Sequence, residues 1–104
     1  MKNLFWTGYS NSNRIQAIIE TQKIVNNFGY IIDFKQYSDI SITLQIEIEE
    51  NKIEQLHLSL LNYLSLDDCE IPLNKSFSER IIFLNITFSK STGDLRIKVP
   101  AVPG

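Results

Sequence analysis

The segment SITLQIEIE, residues 41–49, constrains the fold more than any other part of the chain. Its apolar residues, Ile42, Leu44, Ile46 and Ile48, stand at every second position, and polar residues stand between them. Successive side chains of a strand point to opposite faces of a sheet, so this alternation is typical of a strand with one dry face and one wet face. The segment therefore predicts a sheet that helices cover on one side only.

Six further segments supply the rest of the predicted architecture. Apolar residues at helical spacing predict helices over 14–28 and 51–64, and aromatic or β-branched runs predict strands over 4–9, 30–37, 79–90 and 94–99. A short edge segment is expected around residues 70–73. Gly29 predicts a left-handed end to the first helix. Asn13 and Asn51, each followed three residues later by Gln or Glu, predict capping-box starts for the two helices.

The order strand, helix, strand, strand, helix, strand predicts the fold class. A chain of 104 residues has room for one core, so residues 1–104 are expected to form a single α+β domain. Right-handed crossovers would place both helices on one face of an antiparallel sheet, which is the ferredoxin-like βαββαβ arrangement. A C-terminal hairpin, turning at residues 91–93, would add a fifth strand.

Composition argues against several classes of function. The chain has 10 Lys and Arg against 12 Asp and Glu, so it lacks the cationic excess that binds phosphate backbones, and no nucleic acid is expected as a partner. One cysteine, Cys69, offers neither a disulfide nor the clustered thiolates of zinc and iron–sulfur sites, so no metal and no cofactor is expected.

The sequence also predicts where in the cell the protein is located. No apolar run approaches the roughly 20 residues that span a bilayer, and the N-terminal stretch lacks the apolar core of a signal peptide. A single cysteine fits a reducing compartment. The sequence therefore predicts a cytoplasmic protein without membrane contact.

A resemblance to a known family follows from residues 29–31 and from the order of elements. Gly29-Tyr30-Ile31 is similar to the Gly-x-Ile start of the second strand in ACT domains, small-molecule-binding members of the ferredoxin-like superfold. The resemblance covers residues 4–90 and implies side-by-side pairing of two copies. It also implies an amino acid bound at the turn between the first strand and the first helix. In this chain the turn consists of Ser10, Asn11, Ser12, Asn13 and Arg14, and Asn13-Arg14 stands where the family commonly has Pro-Gly.

Two interpretations of this turn remain open. The chemistry that starts a helix accounts for most of its residues. Alternatively, Arg14 and the free backbone N–H groups of the first helical turn hold an anion, since a cation near the positive end of the helix dipole is otherwise mildly unfavourable.

The helix-free face of the sheet is the second candidate site. If the alternation holds, this face carries Asp33, Lys35, Tyr37, Thr43, Gln45 and Glu47. One interpretation is a solvated face with cross-strand charge pairs. The other is a second subunit packed on this face, as in dimeric α+β barrels, with Trp6, Tyr9 and Tyr37 lining or rimming a shared cavity.

His57 is the only histidine and so the first residue to consider for acid–base catalysis. Its helical angle falls between those of Leu61 and Leu64, inside the apolar stripe of the second helix, which favours a neutral structural role. Cys69 is interpreted as a small buried hydrophobe. No catalytic residue is assigned. Whether the chain is an enzyme stays open, and these observations favour a non-catalytic protein.

Three functions remain open at this point. The leading hypothesis is a small non-catalytic module, a homodimer, that binds a small metabolite or regulates a protein partner. The alternative is an enzyme of the dimeric α+β barrel kind, which would use His57 or tyrosines in a cavity on the helix-free sheet face. The third is an adaptor that offers the edge of its last hairpin, or its PAVPG tail, to another protein.

Overall fold

A computed structural model of the chain describes residues 3–67, 69–73 and 75–88, which form a five-stranded mixed sheet and two helices. The elements are β1 (Asn3–Ser10), α1 (Arg14–Asn26), β2 (Gly29–Ser38), β3 (Ser41–Glu49), a 3₁₀ turn (Glu50–Lys52), α2 (Ile53–Leu61), β4 (Ser65–Asp67) and β5 (Glu79–Phe88). The α+β class is confirmed, and β3 has the predicted bounds.

The core lies on one face of the sheet, as the alternation in β3 predicts. The apolar positions of β3 are buried, and the polar positions between them are half-buried. Alternate residues of β1 and β5 and the inner faces of both helices join them in one cluster, which includes Leu4, Trp6, Ala17, Val25, Leu56, Leu60, Ile82, Leu84 and Ile86. Both helices therefore cover the same face of the sheet.

The strand order differs from the predicted ferredoxin-like order. The sheet runs β2-β3-β5-β1-β4, whereas the split βαβ arrangement would place β1 beside β3. β5 lies between them, antiparallel to β3 and parallel to β1, so the sheet is mixed rather than antiparallel. The cause is the path after α2, where β4 pairs with the outer edge of β1 and the chain then returns to the end of β3.

Backbone hydrogen bonds fix the return of the chain. The N–H groups of Glu50 and Asn51 donate to the carbonyls of Ser78 and Ser76, at 2.8 and 3.0 Å.

The short edge strand is β4, at residues 65–67, and not the expected segment around 70–73. β5 has a strand on each side, which leaves it no edge for the predicted hairpin partner. The predicted turn at 91–93 and strand over 94–99 lie outside the described residues.

The two helix starts differ in how they are capped. Asn13 caps α1, because its Oδ1 accepts from the Gln16 N–H at 2.9 Å, as predicted. The capping box at Asn51 is not formed. Asn51 lies inside the 3₁₀ turn with its Oδ1 buried and unpaired, and α2 begins later, at Ile53. Tertiary contacts of Glu50 and Asn51 with the segment before β5 hold this turn in place of a regular helix start.

A buried charge pair locks the junction between β3 and β5. Glu50 is 8% exposed and forms an ion pair with Arg80, and the Ser76 hydroxyl donates to Glu50 Oε1 at 2.8 Å. The Ser76 hydrogen bond and the Arg80 charge lower the pKa of Glu50 below its ordinary range, against the opposing effect of burial. The carboxylate therefore stays charged and bonded at neutral pH.

Gly29 has a different role from the predicted one. Helix α1 ends at Asn26, Asn27 is its right-handed C-cap, and Gly29 is the first residue of β2. A Cβ at position 29 would lie 2.5 Å from the carbonyl oxygen of Glu47 and 3.0 Å from Ile48 Cβ. The position therefore needs glycine because β2 approaches β3 closely there.

Helix α1 is apolar over a wider arc than the sheet covers. Ala17, Thr21 and Val25 are buried, whereas Ile15 and Ile19 are 66% and 43% exposed. Ile15 and Ile19 are one helical turn apart and form a small apolar patch on the helix side of the molecule. Among the described residues, no helix is long and apolar enough to cross a membrane.

Candidate functional site

The helix-free face of the sheet, called the open face below, is an array of cross-strand rows. Its strands contribute Asn3, Phe5, Thr7, Tyr9, Tyr30, Asp33, Lys35, Tyr37, Ser41, Thr43, Gln45, Glu47, Glu49, Ser65, Asp67, Glu79, Ile81, Phe83, Asn85 and Thr87. The central row runs from β1 to β2 as Phe5, Phe83, Gln45 and Asp33. Side chains in such rows lie about 5 Å from their neighbours, so they form one continuous surface.

The structure brings most of the predicted open-face residues together. Five of the six predicted residues line one shallow depression together with Phe83, namely Asp33, Lys35, Tyr37, Thr43 and Gln45. The depression has a volume of about 80 Å³ and is open to solvent. Glu47, the sixth, lines a second depression of about 150 Å³ at the end of β3.

Asn85 lies next to the first depression and bonds to Thr43, which lines it. Its side-chain amide nitrogen lies 3.0 Å from Thr43 Oγ1, 3.2 Å from Ser41 Oγ and 3.2 Å from the Ile42 carbonyl oxygen. The amide has two hydrogens, so these three acceptors share them. The link between β5 and β3 therefore includes side chains as well as the backbone ladder, and it holds this part of the open face in one arrangement.

Aromatic rings stand exposed on the open face. The rings of Phe5 and Phe83 stack with centroids 5.2 Å apart and planes inclined by 11°. Phe5 is 70% exposed, and the two tyrosines of β2, Tyr30 and Tyr37, are similarly exposed. Neighbouring apolar groups on a protein surface are candidates for interaction sites, so these rings are part of the candidate site.

Tyr9 lies on the open face, as predicted, whereas the prediction for Trp6 is wrong. The Tyr9 hydroxyl donates to Asp67 at 3.1 Å, and that hydrogen bond together with the negative charge of Asp67 raises the pKa of Tyr9. Trp6 is 1% exposed and lies in the core on the helix side. The alternation of β1 decides this, because Trp6 shares its face with Leu4 and not with Phe5.

The end of the open face beside Gly29 is strongly acidic. Glu49 and Glu79 are directly paired across β3 and β5. Glu47 is the next residue of β3 on the same face, two positions before Glu49. Repulsion from Glu47, followed by burial, raises the pKa of Glu79. Lys52 Nζ lies 3.6 Å from Glu49 and compensates part of this charge. Within the described part of the chain, no group of His, Cys, Asp or Glu side chains is arranged to hold a metal ion.

The variant Glu79→Gln is expected to raise the melting temperature at pH 7, because it removes the repulsion between Glu79 and Glu47. The pKa of Glu79 is higher in the folded than in the unfolded chain, so the wild-type protein recovers this stability itself as the pH falls through the folded value. The advantage of the variant should therefore vanish below the ordinary glutamate pKa of 4.5. Thermal unfolding followed by circular dichroism between pH 4 and pH 8 measures both effects.

The control for this variant is Glu20→Gln on α1, where Lys23 lies 3.6 Å from the carboxylate. It makes the same change of charge without relieving a repulsion, so it should leave the melting temperature unchanged or lower it slightly. An equal gain from both variants would contradict the interpretation, because the gain would then reflect net charge alone.

The turn formed by residues 10–14 is held together by its own hydrogen bonds. The Ser10 hydroxyl, in a residue that is 2% exposed, accepts from the Ser12 N–H at 3.1 Å, and Asn13 caps α1. Arg14 Nη1 lies 3.3 Å from Asp39 Oδ1 in the turn between β2 and β3, so its charge has a partner within the chain. Binding of a ligand at this turn stays a prediction.

His57 lies on the helix side of the sheet, away from the open face. Its ring meets the buried Trp6 ring edge to face, with centroids 5.4 Å apart and an interplanar angle of 77°. The sheet therefore separates His57 from both depressions on the open face. Cys69 is half-buried and packs against the core, in agreement with the structural role predicted for it.

Sequence reasoning missed Phe5, Phe83 and Glu79 as parts of the candidate site. A signal for each is present in the alternation of β1 and β5, where buried positions place Phe5 and Phe83 on the opposite face. The pairing of β5 with both β1 and β3 brings them to the predicted residues, and no local pattern specifies that pairing. A scan against protein-family models, a search of curated proteins and a search of solved structures each found no match to this chain.

Proposed function

We propose that this chain is a non-catalytic module that regulates a protein partner, and that it binds this partner through the open face. The observation that carries the proposal is the stacked pair of Phe5, which is 70% exposed, and Phe83, which is half-buried, on the open face of the sheet. Aromatic side chains are enriched at protein interfaces and dominate their binding energy. A rigid sheet that presents such side chains loses little conformational entropy when a partner binds.

The shape of the open face favours a protein over a small metabolite. Small-molecule sites are concave and enclose most of the ligand surface, in volumes of about 300–1,000 Å³. The depression that contains most of the predicted residues has only about 80 Å³ and is open to solvent, so it would leave much of a metabolite exposed. A protein surface can use both shallow depressions and the rings between them at once.

The enzyme alternative has less support from the open face. The sheet separates its depressions from His57, which is the only histidine of the chain. General acid–base catalysis needs a group within hydrogen-bond reach of the substrate, and Tyr37 is the tyrosine that lines the first depression.

The experiment is photocrosslinking in the source cells. The full chain carries p-benzoylphenylalanine either at position 5 on the open face or at position 19 on the exposed patch of α1. Phe5 and Ile19 are 70% and 43% exposed, so both probes face solvent. We expect one discrete adduct from position 5 and none from position 19, with the attached protein identified by mass spectrometry and reproduced with the purified pair.

Other outcomes of the crosslinking separate the remaining hypotheses. An adduct from position 19 alone would contradict binding at the open face and point to the α1 patch. An adduct at twice the mass of the chain would identify the partner as a second copy. Absence of adducts from both positions would contradict the proposal.

A further inference from the structure

The charge of the open face is unbalanced. Five carboxylates stand on its strands, Asp33, Glu47, Glu49, Asp67 and Glu79, against one ammonium group, that of Lys35. Lys52, just beyond the end of β3, pairs with Glu49 and compensates one of them. Among the described residues, the face therefore keeps a net negative charge, although the whole chain is close to neutral with a net charge of −2.

The acidic end also has the geometry of a site for a basic side chain. Glu47 and Glu79 line the second depression together with Tyr30, which pairs with Glu47 across β2 and β3. A guanidinium group can bond to carboxylates in a forked geometry, and it also stacks on aromatic rings. Lys52 also lines this depression, but its ammonium pairs with Glu49, so three carboxylates there stand against one cation.

The apolar part of the face lies at a fixed distance from this acidic end. Glu79 and Phe83 are four residues apart on β5, both on the open face. At a rise of about 3.3 Å per residue, their positions are about 13 Å apart. The surface therefore offers two complementary contacts, one for a cation and one for an apolar side chain.

The charges argue against two other occupants. A second copy placed face to face would bring two net negative surfaces together, which weakens the homodimer predicted through this face. A nucleic acid would bring phosphates against the same carboxylates. A positively charged protein surface gains from both the charge and the rings.

We infer, on the basis of the function proposed above, that the partner is a positively charged protein surface. Its Arg or Lys side chains bind Glu47 and Glu79, and its apolar or aromatic side chains pack on Phe5 and Phe83. Opposite charge also guides the two proteins together, so the rate of association falls as salt is added.

The experiment selects peptides from an unbiased random display library on the immobilised full chain. We expect the enriched peptides to be basic and to contain an aromatic residue. A synthetic version of the most enriched peptide should lose about tenfold or more in affinity for the double variant Glu47→Gln and Glu79→Gln. It should also bind Phe5→Ala more weakly, and its affinity should fall with added NaCl.

The control is the double variant Glu20→Gln and Glu54→Gln, which removes the same charge from the two helices. It should change the affinity by less than about twofold, because exposed charges beyond a Debye length are screened. An equal loss in both double variants would overturn the inference, since net charge and not the open face would then govern binding.

Two results distinguish failure of this inference from failure of the proposed function. The first is selection of neutral or acidic peptides whose binding depends on Phe5 but not on Glu47 and Glu79. This result would overturn the inference of a positively charged partner and keep the open face as a protein-binding site. A selection that yields no peptide sensitive to Phe5→Ala would overturn both.

Discussion

The variant Trp6→Ala is expected to lower the free energy of unfolding by about 3–5 kcal/mol, the cost typical of removing a buried aromatic side chain. Trp6 is 1% exposed and lies at the centre of the core. Its Nε1–H donates to the Glu70 carbonyl at 3.0 Å, and its ring meets His57. The substitution therefore leaves a cavity, removes the hydrogen bond to Glu70 and leaves His57 without its ring contact. Urea denaturation at neutral pH measures the loss.

The matched control is Phe5→Ala, one position earlier in the same strand. Phe5 points to the open face and is 70% exposed, so its removal should cost less than about 1 kcal/mol. Trp6→Phe should lie between the two, because it keeps one buried ring but loses part of the ring volume and the hydrogen bond, which is worth about 1 kcal/mol. Similar losses for Trp6→Ala and Phe5→Ala would contradict the assignment of the two faces of β1.

The variant Gly29→Ala is expected to destabilise the fold by about 1–3 kcal/mol, the range for overpacked positions. The new methyl group would lie 2.5 Å from the Glu47 carbonyl oxygen, a backbone atom that can move only with β3. Because Glu47 belongs to the acidic end of the open face, the variant should also weaken binding of a basic peptide. Urea denaturation and a peptide titration measure the two effects.

Gly8→Ala provides the comparison for Gly29→Ala. A Cβ at Gly8 would lie 2.9 Å from Leu66 Cδ2, at the flexible end of a side chain, and 3.4 Å from the Ser65 carbonyl oxygen. A side chain can rotate away where a backbone carbonyl cannot, so Gly8→Ala should cost less. A larger loss at Gly8 than at Gly29 would contradict the argument from close backbone approach.

The parts of the fold that the sequence predicts are those set by local pattern. The alternation in residues 41–49 predicts both faces of β3 and, with them, the places of Thr43 and Gln45 in the first depression. The polar side chain of Asn13 predicts the start of α1, because a cap depends on residues three apart. These properties need no knowledge of which strands are neighbours.

The parts that the sequence does not predict depend on contacts between distant residues. The position of β5 between β3 and β1 follows from pairings across the sheet, and a pattern within β5 is the same whichever strands flank it. The close approach at Gly29, the repulsion between Glu47 and Glu79, and the contact of Trp6 with His57 likewise join residues that are distant in sequence. Local preference gave way to tertiary contact at Asn51, where the expected capping box is replaced by a 3₁₀ turn.

The central position of β5 has a consequence for how the chain acquires its structure. During synthesis, β5 leaves the ribosome after the other described elements, yet it joins the β2–β3 hairpin on one side to the β1–β4 pair on the other. Before it is in place, those two parts share no strand pairing. Folding should therefore be strongly cooperative and slow for the chain length, since it waits on contacts between distant residues. The stacked rings of Phe5 and Phe83 come from β1 and β5, so a partner that binds both rings would bind only chains that have completed folding.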